Sequence, residues 1–417
     1  MMLALRDYVP FWMLLSVLYQ AGVSFYGSSV IFSAVNQLFF LAFVVLSLSL
    51  SRLFKFSTLN IVLFIFLCLT VIVNAFIGKS FSILAFGLLD NFKFLLMLFL
   101  VICMPKDIWK MSSIGVFFVT AMYYLIIISI LFGVLQQLAK ELIYIFPSSI
   151  GFREMYRYGI LRVPSFFASI NAFAKIAFLL IPIALLLKKN MKIAICWSVL
   201  AFILTFSRQF ILGCIFSIVM AYVFSGRIDV KKITTISLIL LLSITSLFLI
   251  SWFGSDNANN ESVDGKLLSI PDRYIRTAVM ITSIKASIDN PVFGVGPGYF
   301  GGNIGKKFEL NDELENYGMM DLIPFFDLSG PYYTDTLWPQ LLGEFGIIGF
   351  SVIVYFFWLW FRLILSTTSF QHRLISLFCF FQFIFVGLMS PAFNYYYFTV
   401  PMLFLTLYLS NIEKDYI

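Results

Sequence analysis

Long apolar runs recur along the whole chain, separated by short polar breaks. Each run has roughly the 20 residues that an α-helix needs to cross a bilayer, and none shows the alternating pattern of a barrel strand. Helices are therefore the expected spanning elements, because they satisfy their own backbone hydrogen bonds in lipid. The sequence predicts an all-α polytopic membrane protein with about twelve transmembrane helices. The predicted spans are residues 9–25, 30–51, 59–77, 82–104, 111–135, 164–187, 192–206, 209–225, 233–253, 336–361, 374–390 and 392–411.

The composition leaves no room for a separate soluble domain. Hydrophobic residues make up 61% of the chain and charged residues only 12%, well away from the balance of a soluble protein. We therefore treat residues 1–417 as a single transmembrane domain, with two long connections, 136–163 and 254–335, packed onto it. The first apolar run lacks a convincing cleavage site, so we expect a retained span rather than a cleaved signal peptide.

Lysine and arginine accumulate in alternate short connections, which predicts the orientation in the membrane. The connections predicted to be cytoplasmic carry Arg52 and Lys55, Lys106 and Lys110, Lys188, Lys189 and Lys192, Arg227, Lys231 and Lys232, and Arg362 and Arg373. Both termini are then cytoplasmic, and the nearly uncharged connections near 26–29, 78–81 and 391 lie outside. The two long connections also lie outside, where the charge rule does not apply, so their arginines need another explanation.

Several classes of function are disfavoured by simple counts. The net charge is +7, but the basic residues are scattered between spans, which argues against nucleic acid as a partner. The chain has one histidine, His372, in a predicted cytoplasmic connection. All the cysteines fall inside apolar runs without metal or disulfide spacing, namely Cys68, Cys103, Cys196, Cys214 and Cys379. We expect no metal site and no histidine base.

The longer outer connection contains a predicted helix. Ser269 and Asp272 have capping-box spacing, Pro271 suits the first turn, and Pro291 follows the end. An apolar stripe is expected at Ile275, Val279, Ile284 and Ile288.

Arg273 and Arg276 share one face of this helix, because they are three residues apart. Two guanidinium groups side by side suit a diphosphate; the alternative is a solvated or headgroup-anchoring face. The run NPVFGVGPGYFGG at 290–302 follows the helix. Its glycines suit either a phosphate-binding turn or a structural loop close to the membrane, and the missing Walker spacing favours the loop.

Two acids mark the entry to the tenth predicted span. Asp335 lies at its mouth, and Glu344 lies about 13 Å deeper, on the opposite face unless Pro339 kinks the helix. They are therefore poor partners for acid–base catalysis. Glu344 and Gln340 are expected to line one inward face, with a functional or supporting role. The alternative is polar helix packing assisted by glycines, namely Gly343, Gly346 and Gly349.

Other charged residues occur within or beside spans. Arg208 lies in a tight outer hairpin, TFSRQF, where it suits an anion or a partner acid, or else snorkels to headgroups. Asn171 and Lys175, one turn apart in the sixth span, are expected to face the same cavity. Asp90 and Lys93 are close enough on one helix to neutralise each other, which favours a structural role.

Four segments together resemble the O-antigen polymerase and ligase superfamily of bacterial inner-membrane proteins. They are RVPSFFASINAFA at 162–174, TFSR at 205–208, the helix of Arg276 followed by NPVFGVGPGYF, and TDTLWPQLLGEFGIIGF at 334–350. Each segment alone is weakly specific, whereas their order around a long outer loop is fairly specific. The chain departs from the family pattern at Ser165 and Ile170, where Gly and Pro are common.

The resemblance implies a glycosyltransferase-C-like helical fold with a periplasmic cavity and no metal or other cofactor. Its substrate would be an undecaprenyl-diphosphate-linked oligosaccharide, and a chain-length regulator is a possible partner. Similar ligases look as though they need a histidine near the end of the long loop, where this chain has Tyr333, Thr334, Asp335 and Thr336. This difference favours an O-antigen polymerase, a metal-independent glycosyltransferase of the inner membrane.

On this hypothesis, Arg208 and Arg276 stabilise the diphosphate and Asp335 orients or deprotonates the acceptor. The expected substrate-binding residues are Arg162, Arg157, Arg273, Asn171, Lys175, Tyr332, Tyr333 and Glu344. The alternatives are a ligase that transfers glycan to lipid A core and a flippase for lipid-linked oligosaccharides. A purely structural membrane protein is the least favoured.

Overall fold

The structure is a computed structural model. It describes residues 2–26, 30–54, 57–145, 156–157, 160–167, 169–226, 271–308, 310, 312–318, 336–389 and 396–411. The helices in these ranges are α1 (Met2–Tyr26), α2 (Val30–Ser49), α3 (Thr58–Phe76), α4 (Phe81–Cys103), α5 (Ser113–Leu138), α6 (Ile170–Phe178), α7 (Leu180–Leu186), α8 (Met191–Thr205), α9 (Arg208–Phe224), α10 (Pro271–Asp289), α11 (Gly302–Lys307), α12 (Asp312–Asn316), α13 (Leu337–Leu365), α14 (Phe370–Met389) and α15 (Tyr396–Asn411). Short 3-10 helices occur at Ser51–Leu53, Lys106–Trp109 and Lys140–Ile145. A two-stranded antiparallel ribbon pairs Tyr156–Arg157 with Ile160–Leu161.

The predicted polytopic helical fold is confirmed. Each predicted span coincides with one helix except 164–187 and 233–253, and the latter lies outside the described residues. Among the described residues, 5 helices are long and apolar enough to cross a membrane: α3, α4, α5, α13 and the part of α14 from Phe370 to Leu388. Shorter apolar helices accompany them. The predicted span 164–187 is not one helix, since α6 begins at Ile170 and is separated from α7 at Leu179.

The last helix forms the centre of the bundle. Every residue of α15 from Tyr397 to Asn411 is buried, and the helix contacts α1, α7, α13 and α14. The indole N–H of Trp360 donates to Thr406 Oγ1 at 3.0 Å, which fixes α13 against it. Large apolar side chains are exposed on the outer helices, as expected for a surface that faces lipid; examples are Leu38, Val62, Ile128 and Ile203.

The connections group at the ends of the bundle as the charge pattern predicts. Ser112 Oγ donates to Asp7 Oδ1, which joins the connection before α5 to the first helix. Lys188, after α7, is close enough to His372 to interact electrostatically. On the uncharged side, the backbone N–H of Ser80 donates to the Tyr299 hydroxyl at 2.8 Å. The assignment of one end to the cytoplasm stays a prediction.

The helix predicted in the long connection is present, but its buried face is not the expected one. As predicted, α10 begins at Pro271 and ends before Pro291, while Ser269 lies outside the described residues. Ile284 and Ile288 are 41% and 61% exposed, so the proposed apolar stripe is wrong beyond Val279. The buried residues are mostly small: Ala278, Val279, Thr282, Ser283, Ala286 and Ser287. Small side chains allow α10 to pack closely along α13.

Candidate functional site

The first polar group lies where the segment before α6 meets the end of α8. Arg162 is only 7% exposed, and its Nε donates to the carbonyl of Thr205 at 2.8 Å. Beside it, the backbone N–H of Val163 donates to the carbonyl of Leu204 at 3.1 Å. Two of the family-like segments, distant in sequence, are therefore in direct contact.

A tight hairpin places Arg208 at this point. Phe206 adopts a left-handed conformation, with φ 43° and ψ 42°, and ends α8. After Ser207, α9 begins at Arg208. The side chain of Arg208 lies outside the described part of the structure. As the first residue of α9, Arg208 lies at the positive end of the helix dipole, a position that suits an anion.

Asn171 and Lys175 belong to the same group. The hydroxyl of Ser207 donates to Asn171 Oδ1 at 3.3 Å. Asn171 is exposed, whereas Lys175, one turn further along α6, is buried. The structure thus brings Arg162 and Asn171 to the same hairpin, with Lys175 one turn further along α6; a cavity shared by these residues stays a prediction.

Ser165 holds the segment before α6 against α5. Its φ of 57° is in the left-handed region, which glycine adopts more readily than other residues. Here the Ser165 hydroxyl donates to the carbonyl of Ser129 at 2.6 Å. Gln136 Nε2 donates to the carbonyl of Ser165 at 2.9 Å. Polar contacts to α5 therefore stabilise a conformation that a non-glycine residue adopts reluctantly.

The second polar group surrounds Glu344, which is fully buried. Gln340 Nε2 donates to one carboxylate oxygen at 3.0 Å, which confirms that the two residues share a face. Asn91 Nδ2, from α4, donates to the other oxygen at 2.5 Å. The backbone of Gly298 also hydrogen-bonds to the carboxylate. Glu344 therefore joins α4, α13 and the glycine-rich segment.

The glycine-rich segment replaces hydrogen bonds of a broken helix. At Gly346, with φ 68°, α13 departs from helical geometry, so the break lies there and not at Pro339. The amides of Val295 and Gly296 donate to the carbonyls of Gly343 and Glu344 at 3.0 and 3.1 Å, and Ile348 N–H donates to the carbonyl of Pro291 at 2.9 Å.

These bonds decide between the two interpretations of residues 290–302. The amides of Val295 and Gly296 are already used, so they cannot form a phosphate-binding turn. The structural interpretation fits the contacts. The glycines of α13 also serve this segment: Gly343 lies against the ring of Phe300, and Gly346 lies against the carbonyl of Asn290.

Helices α3 and α4 hold the other side of the segment. Lys79 Nζ donates to the carbonyl of Val295 and lies 4.7 Å from the ring centroid of Tyr299. Gly87 packs against the backbone of Pro297 and Gly298. The segment is thereby enclosed between α3, α4 and α13.

The start of α9 and the start of α13 lie at the same end of the bundle. Along α9, Gly213 packs on Phe385 and Phe224 packs on Phe381, so α9 runs antiparallel to α14. At the C-terminal end of α14, Trp338 Nε1 donates to the carbonyl of Ile384 at 2.8 Å. The hairpin at Arg208 and the mouth of α13 thus both lie beside the end of α14.

The remaining site residues are placed only in part. Arg157 lies on the first ribbon strand, and Arg273 and Arg276 lie in the first half of α10; their side chains are outside the described structure. Asp335, Tyr332 and Tyr333 lie outside the described residues altogether.

Sequence reasoning missed several partners. Asn91, Gln136 and Lys79 were not singled out, although each is a polar residue in or next to an apolar run. Such residues are costly in lipid unless they bond within the protein, and that signal could have identified them. The predicted ion pair between Asp90 and Lys93 is present, with an N–O distance of 3.8 Å.

Together, the fold and these buried groups define a polytopic helical membrane protein with polar centres inside its bundle. Residues 193–354 match the family model described as O-antigen ligase, from α8 through α10 and the glycine-rich segment into α13. The match supports the resemblance of this part of the chain to the O-antigen polymerase and ligase superfamily. No curated protein matches the sequence.

Proposed function

We propose that this protein is an O-antigen polymerase that acts on undecaprenyl-diphosphate-linked glycans at the periplasmic side of the inner membrane. The hydroxyl at the non-reducing end of a lipid-linked repeat unit attacks the anomeric carbon of the growing glycan. The bond from that carbon to the diphosphate oxygen breaks, the diphosphate keeps the electron pair, and the hydroxyl proton passes to a base, for which Asp335 is our candidate. Because the leaving group is already activated, positioning and charge stabilisation are the main requirements.

The first polar group supports this chemistry. It places the guanidinium of Arg162 and the amide of Asn171 beside the hairpin at which α9 begins with Arg208, and Lys175 is buried one turn beyond Asn171. Cations fixed in a partly dehydrated site stabilise developing diphosphate charge more strongly than cations in water. We assign Arg208 to the diphosphate, with Arg162, Lys175 and Asn171 as its neighbours in the substrate site.

Helical register ranks the two arginines of α10. Arg276 is three residues before Val279 and seven before Ser283, both buried against the bundle, so its position continues the packed face. Arg273 is seven residues before Met280, which is 43% exposed. We therefore assign Arg276 to the diphosphate and Arg273, with Arg157, to weaker glycan contacts.

One observation favours polymerase over ligase: the place of the only histidine. His372 is the third residue of α14, whereas the mouth of α13 contacts Ile384 on the same helix. The two points are about 18 Å apart along the helix at 1.5 Å per residue. A histidine at that distance cannot serve at the mouth of α13. We propose that the acceptor sugar is held by Asp335, Tyr332 and Tyr333, which precede α13. The proposed reaction needs no metal, and the proposed partner protein is a chain-length regulator.

The second candidate is the ligase, which the description of the matching family model favours. A deletion strain separates the two. Lipopolysaccharide with a single repeat unit indicates a polymerase, because the ligase of the cell still transfers unextended units. Lipopolysaccharide without any repeat unit would show that the chain is the ligase.

The site assignment is tested by complementing that strain with arginine variants. We expect R208K and R276A to shorten the O-antigen ladder strongly, with a loss of about a hundredfold in transfer rate when one charge-stabilising donor is removed. Lysine is a poor substitute because it lacks the planar bidentate donors of arginine. R273A is the matched control on the same helix and should retain a longer ladder. Wild-type ladders in R208K and R276A, at normal expression, would refute the assignment.

A further inference from the structure

A third polar group lies at the middle of α4, on the same turn of the helix as Asn91. Asp90 and Lys93 form an ion pair on this helix, and Lys93 Nζ lies 6.0 Å from the ring centroid of Tyr396, the first residue of α15. Asp90 is also close enough to Tyr396 to interact electrostatically, as is Tyr19 of α1. We call Asp90, Lys93 and Tyr396 the α4 polar cluster.

The cluster reaches an accessible space inside the membrane-spanning region. Lys93 is about 18 Å along α4 from Phe81, where the helix begins. The side chains of Lys93 and Asp90 nevertheless keep 17% and 21% of their surface accessible. Charged groups at such depth face the bundle interior or water rather than lipid. The groups next to the cluster belong to α1 and α15.

Tyr396 provides a second, independent sign of a ligand. Its hydroxyl oxygen is buried and has no hydrogen-bond partner among the residues that the structure describes. A buried hydroxyl without a partner costs on the order of 1–3 kcal/mol. An ion pair that served only to neutralise two charges would not require an unpaired hydroxyl next to it.

The donors and acceptors of the cluster indicate the class of ligand. Asp90 accepts hydrogen bonds, Lys93 donates them, and the Tyr396 hydroxyl does both. Asp90 and Glu344 are close enough to interact electrostatically, so two acids disfavour a diphosphate here. Neighbouring hydroxyls of a sugar, each both donor and acceptor, match this arrangement, and an aromatic ring beside it offers a face for the sugar ring.

We propose that Asp90, Lys93 and Tyr396 form a binding site for a sugar ring of the lipid-linked glycan. The proposal rests on the function proposed above, because it takes the glycan from that function. It assigns the glycan to the α4 polar cluster and leaves the diphosphate with the arginines.

Binding to the purified full-length protein in nanodiscs tests the site without requiring polymerisation. The probes are the lipid-linked repeat unit that accumulates in the deletion strain and undecaprenyl diphosphate, which has no sugar. We expect D90N and Y396F each to raise the Kd for the glycan-bearing lipid about tenfold, the loss of about one hydrogen bond to a charged or buried group. The Kd for undecaprenyl diphosphate should not change.

Two controls separate binding from structure. Y355F removes a hydroxyl that donates to Asn60 on α3, away from the cluster, and should leave both Kd values unchanged. The double variant D90K/K93D reverses the ion pair; it should restore the melting temperature lost in D90N without restoring glycan binding. Three outcomes would overturn the proposal. They are recovery of both melting temperature and glycan binding in D90K/K93D, unchanged glycan binding in D90N and Y396F, and equal binding of the two lipids by the wild type. If D90N and Y396F weaken glycan binding as expected but the wild-type protein does not extend glycan chains, only the polymerase assignment is refuted.

Discussion

At the scale of single residues, the buried acid Glu344 acts as an anchor. Its carboxylate accepts hydrogen bonds from Gln340, Asn91 and the backbone of Gly298. Full burial of an acid is tolerated when such donors replace water. The described contacts of Glu344 are thus those of the alternative interpretation, polar helix packing, and a substrate-binding role for it stays a prediction. Among the described residues nearby, Asp90 is an acid that keeps accessible surface.

Gly87 tests how tightly the glycine-rich segment is held. A Cβ at Gly87 would lie 2.3 Å from the backbone nitrogen of Gly298 and 2.4 Å from the carbonyl carbon of Pro297. Because backbone cannot move aside cheaply, G87A should destabilise the protein by about 1–3 kcal/mol and lower its melting temperature in nanodiscs.

G78A is the matched control for this glycine. Gly78 has φ +98° but no atom within 4 Å of its added Cβ, so the cost is only conformational, about 1–2 kcal/mol. G87A should in addition reduce glycan polymer length, because the displaced segment releases Glu344. Wild-type melting behaviour and ladders in G87A would show that the segment is not held there.

At the scale of elements, the contact between α10 and α13 is made by small residues. The two ends of α10 could be predicted from Pro271 and Pro291, because start and stop signals act locally. The buried face of α10 could not, since the apolar stripe was expected from the large side chains of the helix. Ile284 and Ile288 instead remain exposed and Ala286 is fully buried, so α10 packs through small side chains, as membrane helices often do with one another.

Substitutions on opposite faces of α10 test this arrangement. A286L adds bulk to a fully buried position in the contact with α13 and should destabilise the protein by about 1–3 kcal/mol. I288A removes a side chain that is 61% exposed and should change the melting temperature little. The ranking is checked by thermal unfolding of both variants in nanodiscs; a larger loss in I288A would contradict the described face.

At the scale of the whole molecule, the connections divide between two ends. Ser80 lies beside Tyr299, and Lys189 follows α7 near the end that contains His372. The charge rule predicts that the Ser80 end is periplasmic and the Lys189 end cytoplasmic. This orientation decides which side the candidate site faces.

Cysteine labelling of intact cells checks the orientation. S80C and K189C, in a background without the native cysteines, both place the new thiol at an exposed position. A membrane-impermeant maleimide should label S80C directly and K189C only after the cells are permeabilised. The reverse pattern would place the hairpin at Arg208 and the mouth of α13 in the cytoplasm.

The sequence predicted the helices well and their contacts poorly, for a physical reason. Hydropathy and short-loop charge are local, so the spans and the grouping of connections at each end could be predicted from them. The bond from Asn91 to Glu344 joins residues 253 positions apart, and no local pattern encodes it. The contact of Arg162 with Thr205 joins two family-like segments, and the sequence did not predict that they meet.

The break in α13 at Gly346 has a consequence for chimeric proteins and for loop exchange between relatives. Residues 291–296 supply backbone partners to 343–348, so neither stretch satisfies its own polar groups without the other. Transplanting the outer loop alone would leave carbonyls of a membrane helix facing hydrocarbon, and the host protein would misassemble. The two stretches therefore form one structural unit, and a functional chimera must take both from the same parent protein.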